Sequence, residues 1–240
     1  MIASLLLAPL LHLGIDPPPA PSRPAASIAW KASRPLRWSD FQGAVPENES
    51  HAAFTECTLT IKTTSTTTTT PERNGWWSAA VKLDRVSAEA VFQPMKSWVR
   101  PGAANDSLLA HEQIHFDLAH LQARASIGAI VLALGDTTFT ARGPDEASAL
   151  AAARSKYDRE IERLTKAQHD ALARRNREYD EHTSHGSKPA EQQRWSEMIA
   201  RELRGIGEPR PPRDNPGTGA PSRERSRSGE RSPSRDRPPS

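Results

Sequence analysis

The sequence predicts an α+β domain in which a small antiparallel sheet or hairpin is followed by a helical part built around one central helix. Three observations carry this. Between Ala52 and Phe92 β-branched and alternating residues dominate, with a turn splitting the run in two. From about Ser107 to Gly135 apolar residues recur at helical spacing. From Pro144 to about Glu181 an Ala-rich and charge-rich stretch runs without a breaker.

In chain order, Met1-Ile2-Ala3-Ser4-Leu5-Leu6-Leu7-Ala8-Pro9-Leu10-Leu11-His12-Leu13 is apolar but too short to span a bilayer as a helix, and residues 1–20 read as a signal segment. Residues 21–32 are rich in Pro, Ala and Ser and read as an exposed linker. The folded part is expected over residues 33–207. It opens on Leu36-Arg37-Trp38-Ser39-Asp40-Phe41-Gln42-Gly43, an apolar, turn-forming entry. Thr interleaved with Phe54, Cys57, Leu59 and Ile61 predicts a long strand from Ala52 to Thr70. Pro71-Glu72-Arg73-Asn74-Gly75 then turns the chain into a second strand, Trp76 to Phe92. A connector over 95–102 leads to Asn105-Asp106-Ser107, which offers caps for the central helix. Gly143-Pro144-Asp145-Glu146 starts the second helix, Thr183 to Pro189 interrupts it, and an amphipathic helix follows from Ala190 to Leu203.

Composition removes several functional classes. The formal charge is +3, but residues 208–240 hold eight Arg against five acids, which accounts for the whole excess. The body is near neutral and argues against a nucleic-acid partner. That tail, with its Arg, Ser and Pro repeats, cannot bury a core and is expected to be disordered. A single cysteine, Cys57, excludes an internal disulfide and any multi-cysteine metal site, so metal chemistry falls to His, Asp and Glu. Beyond the N-terminal segment the sequence offers no membrane anchor.

The residues that carry chemistry lie on the central helix. His111-Glu112-Gln113-Ile114-His115 places two imidazoles one turn apart on one face, able to hold one zinc, with Glu112 beside them as a general base. The pattern makes the helical part zincin-like. Two buried His on an apolar helix need a shared partner, and a metal is the commonest. A catalytic zinc takes three protein ligands and an open position. The helix does not supply the third, because the metzincin spacing would need Gly at 118 and His at 121 where the chain has Leu118 and Leu121. His120 falls off the metal face. Downstream candidates are His185, at a helix end next to Gly186, then Asp158 or Glu162 on the long helix, then His169 and His182. An antiparallel packing of the two long helices would return the region of His185 to the level of His111. Tyr179 or Tyr157, the only tyrosines, are candidates for stabilising an oxyanion. Asp117 points off the metal face and suits a supporting role.

The segments Leu36-x-Trp38-Ser39-Asp40-Phe41-x-Gly43, Ser97-Trp98, Leu108-Leu109-x-His111-Glu112-Gln113-x-His115-Phe116-Asp117 and Tyr179-Asp180-x-x-Thr183-x-His185-Gly186 resemble, in this order, the signatures of a bacterial domain-of-unknown-function family described as predicted secreted zinc-dependent proteases. The resemblance spans about residues 33–204. It implies an extracytoplasmic location, periplasmic or secreted, and zinc-dependent peptidase chemistry on a peptide or protein substrate. It carries over His111, Glu112 and His115 directly and makes His185 the favoured third zinc ligand. A cell-wall peptide is a further candidate substrate. The alternative reading is a non-catalytic zinc-binding envelope or interaction protein, whose site would carry four protein ligands.

Overall fold

The computed structural model describes residues 27–206, so the expected signal segment and the Arg-rich tail lie outside the described residues. In chain order the elements are strands β1 (Ile28–Ala29), β2 (Ala53–Phe54), β3 (Cys57–Pro71), β4 (Trp77–Phe92) and β5 (Trp98–Val99), helix α1 (Asp106–Leu134), strand β6 (Thr138–Gly143), and helices α2 (Glu146–Thr183) and α3 (Pro189–Ile206). The described residues are therefore a mixed α and β fold of antiparallel sheets and three α-helices. Among the described residues, no helix is long and apolar enough to cross a membrane.

The expected hairpin is the spine of the larger sheet. β4 is central; β3 runs along one of its edges, while β1 and β6 share the other, all antiparallel. Near its middle the β3–β4 register slips between Thr64 and Ser65, leaving Asp84 as an extra residue that the Thr64 hydroxyl ties down at 3.0 Å. The slip has a structural consequence. Side chains alternate faces along a strand, so one extra residue moves the inward set from Ala79, Val81 and Leu83 to Ala90 and Phe92 while keeping all of them on the covered face. A strict alternation from Trp76 to Phe92 does not anticipate this. β6 has no counterpart in the sequence expectations, because Thr138-Phe139-Thr140-Ala141 is too short to declare itself as a strand between two helices.

α1 crosses the covered face of the sheet, and α2 and α3 close over it. Asn105 caps α1 by accepting from the Leu108 amide at 3.0 Å, and Asp145 caps α2 by accepting from Ser148 at 2.7 Å. The apolar residues form two clusters strung along α1. One gathers Phe41, Phe92, Ile114, Phe116, Leu118, Tyr179 and Trp195; the other gathers Val81, Ile130, Leu134, Ala153 and Tyr157. Because Ile130 is fully buried in the second cluster, away from the polar end of α1, Ile130→Ala is expected to cost roughly 2–5 kcal/mol of stability in urea titration. Zinc binding should be unchanged in that variant, and a loss of both would mean the two clusters act as one.

The fold begins earlier than the linker assignment of residues 21–32 allows. Ile28 and Ala29 pair with Phe92 and Val91 of β4. Trp30 stacks on His120 with centroids 3.7 Å apart and donates from its indole to Asp117 at 2.7 Å. Proline and alanine masked a two-residue strand and an anchor whose partners lie far along the chain. Burial against Trp30, together with nearby Arg124, pushes the His120 imidazole down to about 4. His120 is thus a neutral packing residue, in keeping with its place off the metal face.

The polar residues of the HEQIHFD segment that do no chemistry hold the entry segment. Gln113 accepts from the Leu36 amide at 2.7 Å and donates to Asp117 at 2.8 Å. Asp40 accepts from the Arg37 amide and from Arg34 at 2.9 Å each. Gly43 has no room for a side chain, since a Cβ there would lie 2.9 Å from the carbonyl oxygens of Met95 and Ser97.

Candidate metal centre

α1 and α2 run antiparallel, and this brings His111 and His115 of one helix level with Asp180 and Asn176 of the other. The His111 Nε2, His115 Nε2 and Asp180 Oδ1 atoms form a near-equilateral triangle: 3.3 Å between the two nitrogens, and 3.2 and 3.1 Å from each to the oxygen. A tetrahedral zinc with bonds of about 2.0–2.1 Å has ligand-to-ligand edges of roughly 3.3–3.4 Å. The triangle matches one face of that tetrahedron. Among the described residues these three are the group of metal-type ligands that converges in this way.

The rings are held with their lone pairs inward. His111 Nδ1–H donates to the Gln192 side-chain oxygen at 3.2 Å, and that oxygen also receives the Tyr179 hydroxyl at 2.9 Å. His115 Nδ1–H donates to the Asn176 side-chain oxygen at 3.0 Å. An amide oxygen only accepts, so each Nδ1 carries the proton and each Nε2 is left as a donor of electrons to the centre. Asp180 Oδ1 is buried and receives no hydrogen bond. With both rings neutral, three electron-rich atoms converge with no proton among them. A proton could join only one pair of them, whereas a divalent cation satisfies all three, so the residues present fit zinc.

The charges respond to this crowding. Burial works to raise the Asp180 carboxyl, but the two imidazoles outweigh it and hold the group well below the usual carboxylate range. For His115, burial works to lower the imidazole, and the Asp180 carboxylate more than offsets this, leaving it above its ordinary value.

The sequence places the ring of His111 between two supports. Tyr179 stacks on it with centroids 4.6 Å apart. Gly186 packs against it so closely that a Cβ would lie 3.1 Å from His111 Cγ. α2 ends there in three successive left-handed residues, Ser184, His185 and Gly186, with φ of 46°, 53° and 81°. Thr183 secures the turn by donating its hydroxyl to the Tyr179 carbonyl at 2.7 Å. This gives the Tyr179-Asp180-x-x-Thr183-x-His185-Gly186 block a physical meaning: it supplies a ring support, the third corner of the triangle, a turn fastener and a close-approach glycine.

The triangle lies on the floor of a cleft of about 290 Å³. α1 contributes Leu108 and Glu112 to its lining, the extended segment Ala53 to Cys57 forms one wall, and His51 and His185 also face it. Glu112 is buried next to His111 on α1 and lines the same cleft.

Two sequence expectations change. His185 lines the cleft, but its Nδ1 stands 3.6 Å from Asp180 Oδ1 and its side chain is 58% exposed; Asp180 holds the third corner of the triangle instead. The antiparallel packing of α1 and α2 brings back the last turn of α2, with Asp180, rather than the residue past its end. Tyr179 is fully buried and its hydroxyl is committed to Gln192, so it supports His111 and does not reach into the cleft as an oxyanion donor. Tyr157 lies in the other apolar cluster. Asp158, Glu162 and His169 border a separate groove beside Thr63, and His182 lies against Trp195.

Asn176 and Gln192 are expected to matter through the rings they orient. Asn176→Ala or Gln192→Ala should each weaken zinc binding by roughly 10- to 100-fold while the helix content stays intact. Wild-type affinity in a chelator-competition titration of both variants would show that the rings need no such support. No protein-family model, curated protein or solved structure matches this chain.

Proposed function

We propose that this protein is a zinc-dependent hydrolase of peptide bonds, zincin-like in its use of the His111-Glu112-x-x-His115 helix, and that it works outside the cytoplasm. The observation that carries the reading is the convergence of His111, His115 and Asp180 with Glu112 beside them on the floor of an open cleft. A three-ligand face leaves one position free, which is the arrangement of a catalytic rather than a closed site. Zinc bound there supplies Lewis acidity, polarising a carbonyl and lowering the pKa of water toward neutrality.

The residues of the chain then divide the work. Glu112, which lines the cleft with the triangle, accepts the proton of the attacking water. The wall from Ala53 to Cys57 is an extended segment bordering the cleft, against which an extended peptide can lie. Asn176, Gln192 and Tyr179 keep the imidazoles in place. The resemblance to secreted zinc-dependent proteases and the apolar N-terminal segment support the same activity and an exported site of action.

A second reading, a zinc site that only stabilises an envelope protein, draws on His185, whose ring stands close enough to the cleft to become a fourth ligand. X-ray absorption on the zinc-loaded protein separates the two. Two imidazoles with two oxygen ligands support the hydrolase, while three imidazoles support the structural site. Metal analysis together with hydrolysis of a mixed fluorogenic peptide library, lost on chelation and restored by zinc, is the direct test of function. Absence of zinc, or cleavage indifferent to chelator, would sink the proposal.

A further inference from the structure

Two imidazoles that hold no metal face the same cleft, and one of them is built in place. In the loop before β2, the Glu49 side-chain oxygen accepts the amides of Ser50 and His51 at 2.7 and 3.1 Å and the His51 ring Nδ1–H at 2.5 Å. Asn48, with a φ of 64°, turns the chain into this loop. On its far side the loop is pinned to the end of β5, because Arg100 donates from Nε to the His51 carbonyl at 2.7 Å and from its amide to the Ala52 carbonyl at 2.9 Å. The ring of His51 is thereby held through Nδ1 at the edge of the cleft, its side chain 44% exposed. It meets His185 edge to face, centroids 4.8 Å apart, and His185 in turn stands 3.6 Å from the ligand atom of Asp180. His51 therefore lines the same cleft as the triangle, with the ring of His185 between it and Asp180.

We infer that His51, oriented by Glu49, is a catalytic residue that donates a hydrogen bond from Nε2 to the carbonyl oxygen of the bond being cleaved. The inference rests on the hydrolase reading above. The chemistry requires such a group. As water adds to the carbonyl carbon, negative charge collects on its oxygen, and a fixed donor aimed at that charge stabilises the transition state more than the ground state. Tyr179 does not serve, since its hydroxyl is committed elsewhere. With Nδ1–H given to Glu49, Nε2 donates only in the doubly protonated ring, and the Glu49 carboxylate beside it is the group that would offset that charge. The backbone amide of His51, and then its ring, hold that carboxyl below its ordinary range, so it is ionised when the ring needs it.

The test uses the zinc-loaded full-length chain, with two readouts: hydrolysis of the peptide library, and calorimetric binding of a dipeptide phosphonamidate, whose tetrahedral anionic phosphorus imitates the addition intermediate. His51→Ala should lower kcat by on the order of 10²–10³ with little change in KM. It should weaken the phosphonamidate by a similar factor and leave zinc stoichiometry at the wild-type value. His51→Gln, which keeps an N–H donor, should lose less, and Glu49→Gln should fall between. Wild-type kcat and phosphonamidate affinity in His51→Ala, alongside an inactive Glu112→Gln, would overturn the assignment of His51 alone. The same would follow if His185→Ala, and not His51→Ala, showed the losses. If Glu112→Gln kept full activity, the hydrolase reading itself would fail. If the library is not cleaved at all, undiminished phosphonamidate binding by His51→Ala still refutes the role, and weakened binding supports it.

Discussion

Asp180→Ala is expected to strip zinc from the protein, whereas His185→Ala keeps it. Asp180 Oδ1 is one of only three atoms in the triangle, so its loss should cost more than the roughly 10- to 100-fold that follows removal of an outer support. The buried imidazoles would be left facing a gap with no anion to attract the metal. Stoichiometry on the purified variants, followed by competition against a chromophoric chelator, reads the difference directly. The opposite result, zinc retained without Asp180 and lost without His185, would restore His185 as the third ligand. His111→Ala should behave as Asp180→Ala does.

Acid should act on the same equilibrium. Zinc needs His115 neutral, and the imidazole of His115 sits above its ordinary value in the metal-free protein. Protons therefore begin to compete at a higher pH than for a free histidine, and zinc affinity should fall as pH drops through and below neutrality. Asp180, held well below the carboxylate range, stays ionised through that window and contributes nothing to the slope.

The second large effect is expected at Glu112. Glu112→Gln preserves volume and touches none of the three ligand atoms, so zinc content and helical signal should match the wild type. Losing a positioned general base should lower kcat by about 10²–10⁴. Single-turnover hydrolysis, with metal content measured on the same sample, is the appropriate comparison. Activity within a few-fold of wild type would place the base elsewhere in the cleft.

The helical ligands were legible because they are local: His111 and His115 are one turn apart, and helical spacing alone puts them on one face. The cap at Asn105 was legible for the same reason, and so was the start of α2, although Asp145 caps that helix rather than lying in its first turn. Asp180 was not, although it lies in a segment that stood out from its surroundings. Which residue of an antiparallel helix reaches across depends on axial offset, and the difference between Asp180 and His185 is about one turn. His51 carried no signal at all. Its position follows from a turn and from an arginine on a strand that comes later in the chain. The bulge at Asp84 and the anchoring of Trp30 by Asp117 and His120 are likewise long-range contacts that no local pattern records. The hairpin and the three helices emerged within a few residues of their observed ends because alternation, helical period and capping are written along the chain itself.

The triangle draws two corners from α1 and one from the last turns of α2, segments separated by the whole of β6 and most of α2. An ion bound there acts as a cross-link between distant parts of one polypeptide, and the unfolded chain cannot offer it the same three atoms. Zinc at a hundred times its Kd would add about 2.7 kcal/mol to the native state. The burden of its removal falls on the end of α2 and the left-handed turn behind it, where Asp180, Thr183 and Gly186 are all fastened to the site. Metal supply would therefore govern the chain's resistance to proteolytic digestion as well as the proposed activity, and a protein starved of zinc would be nicked first between α2 and α3.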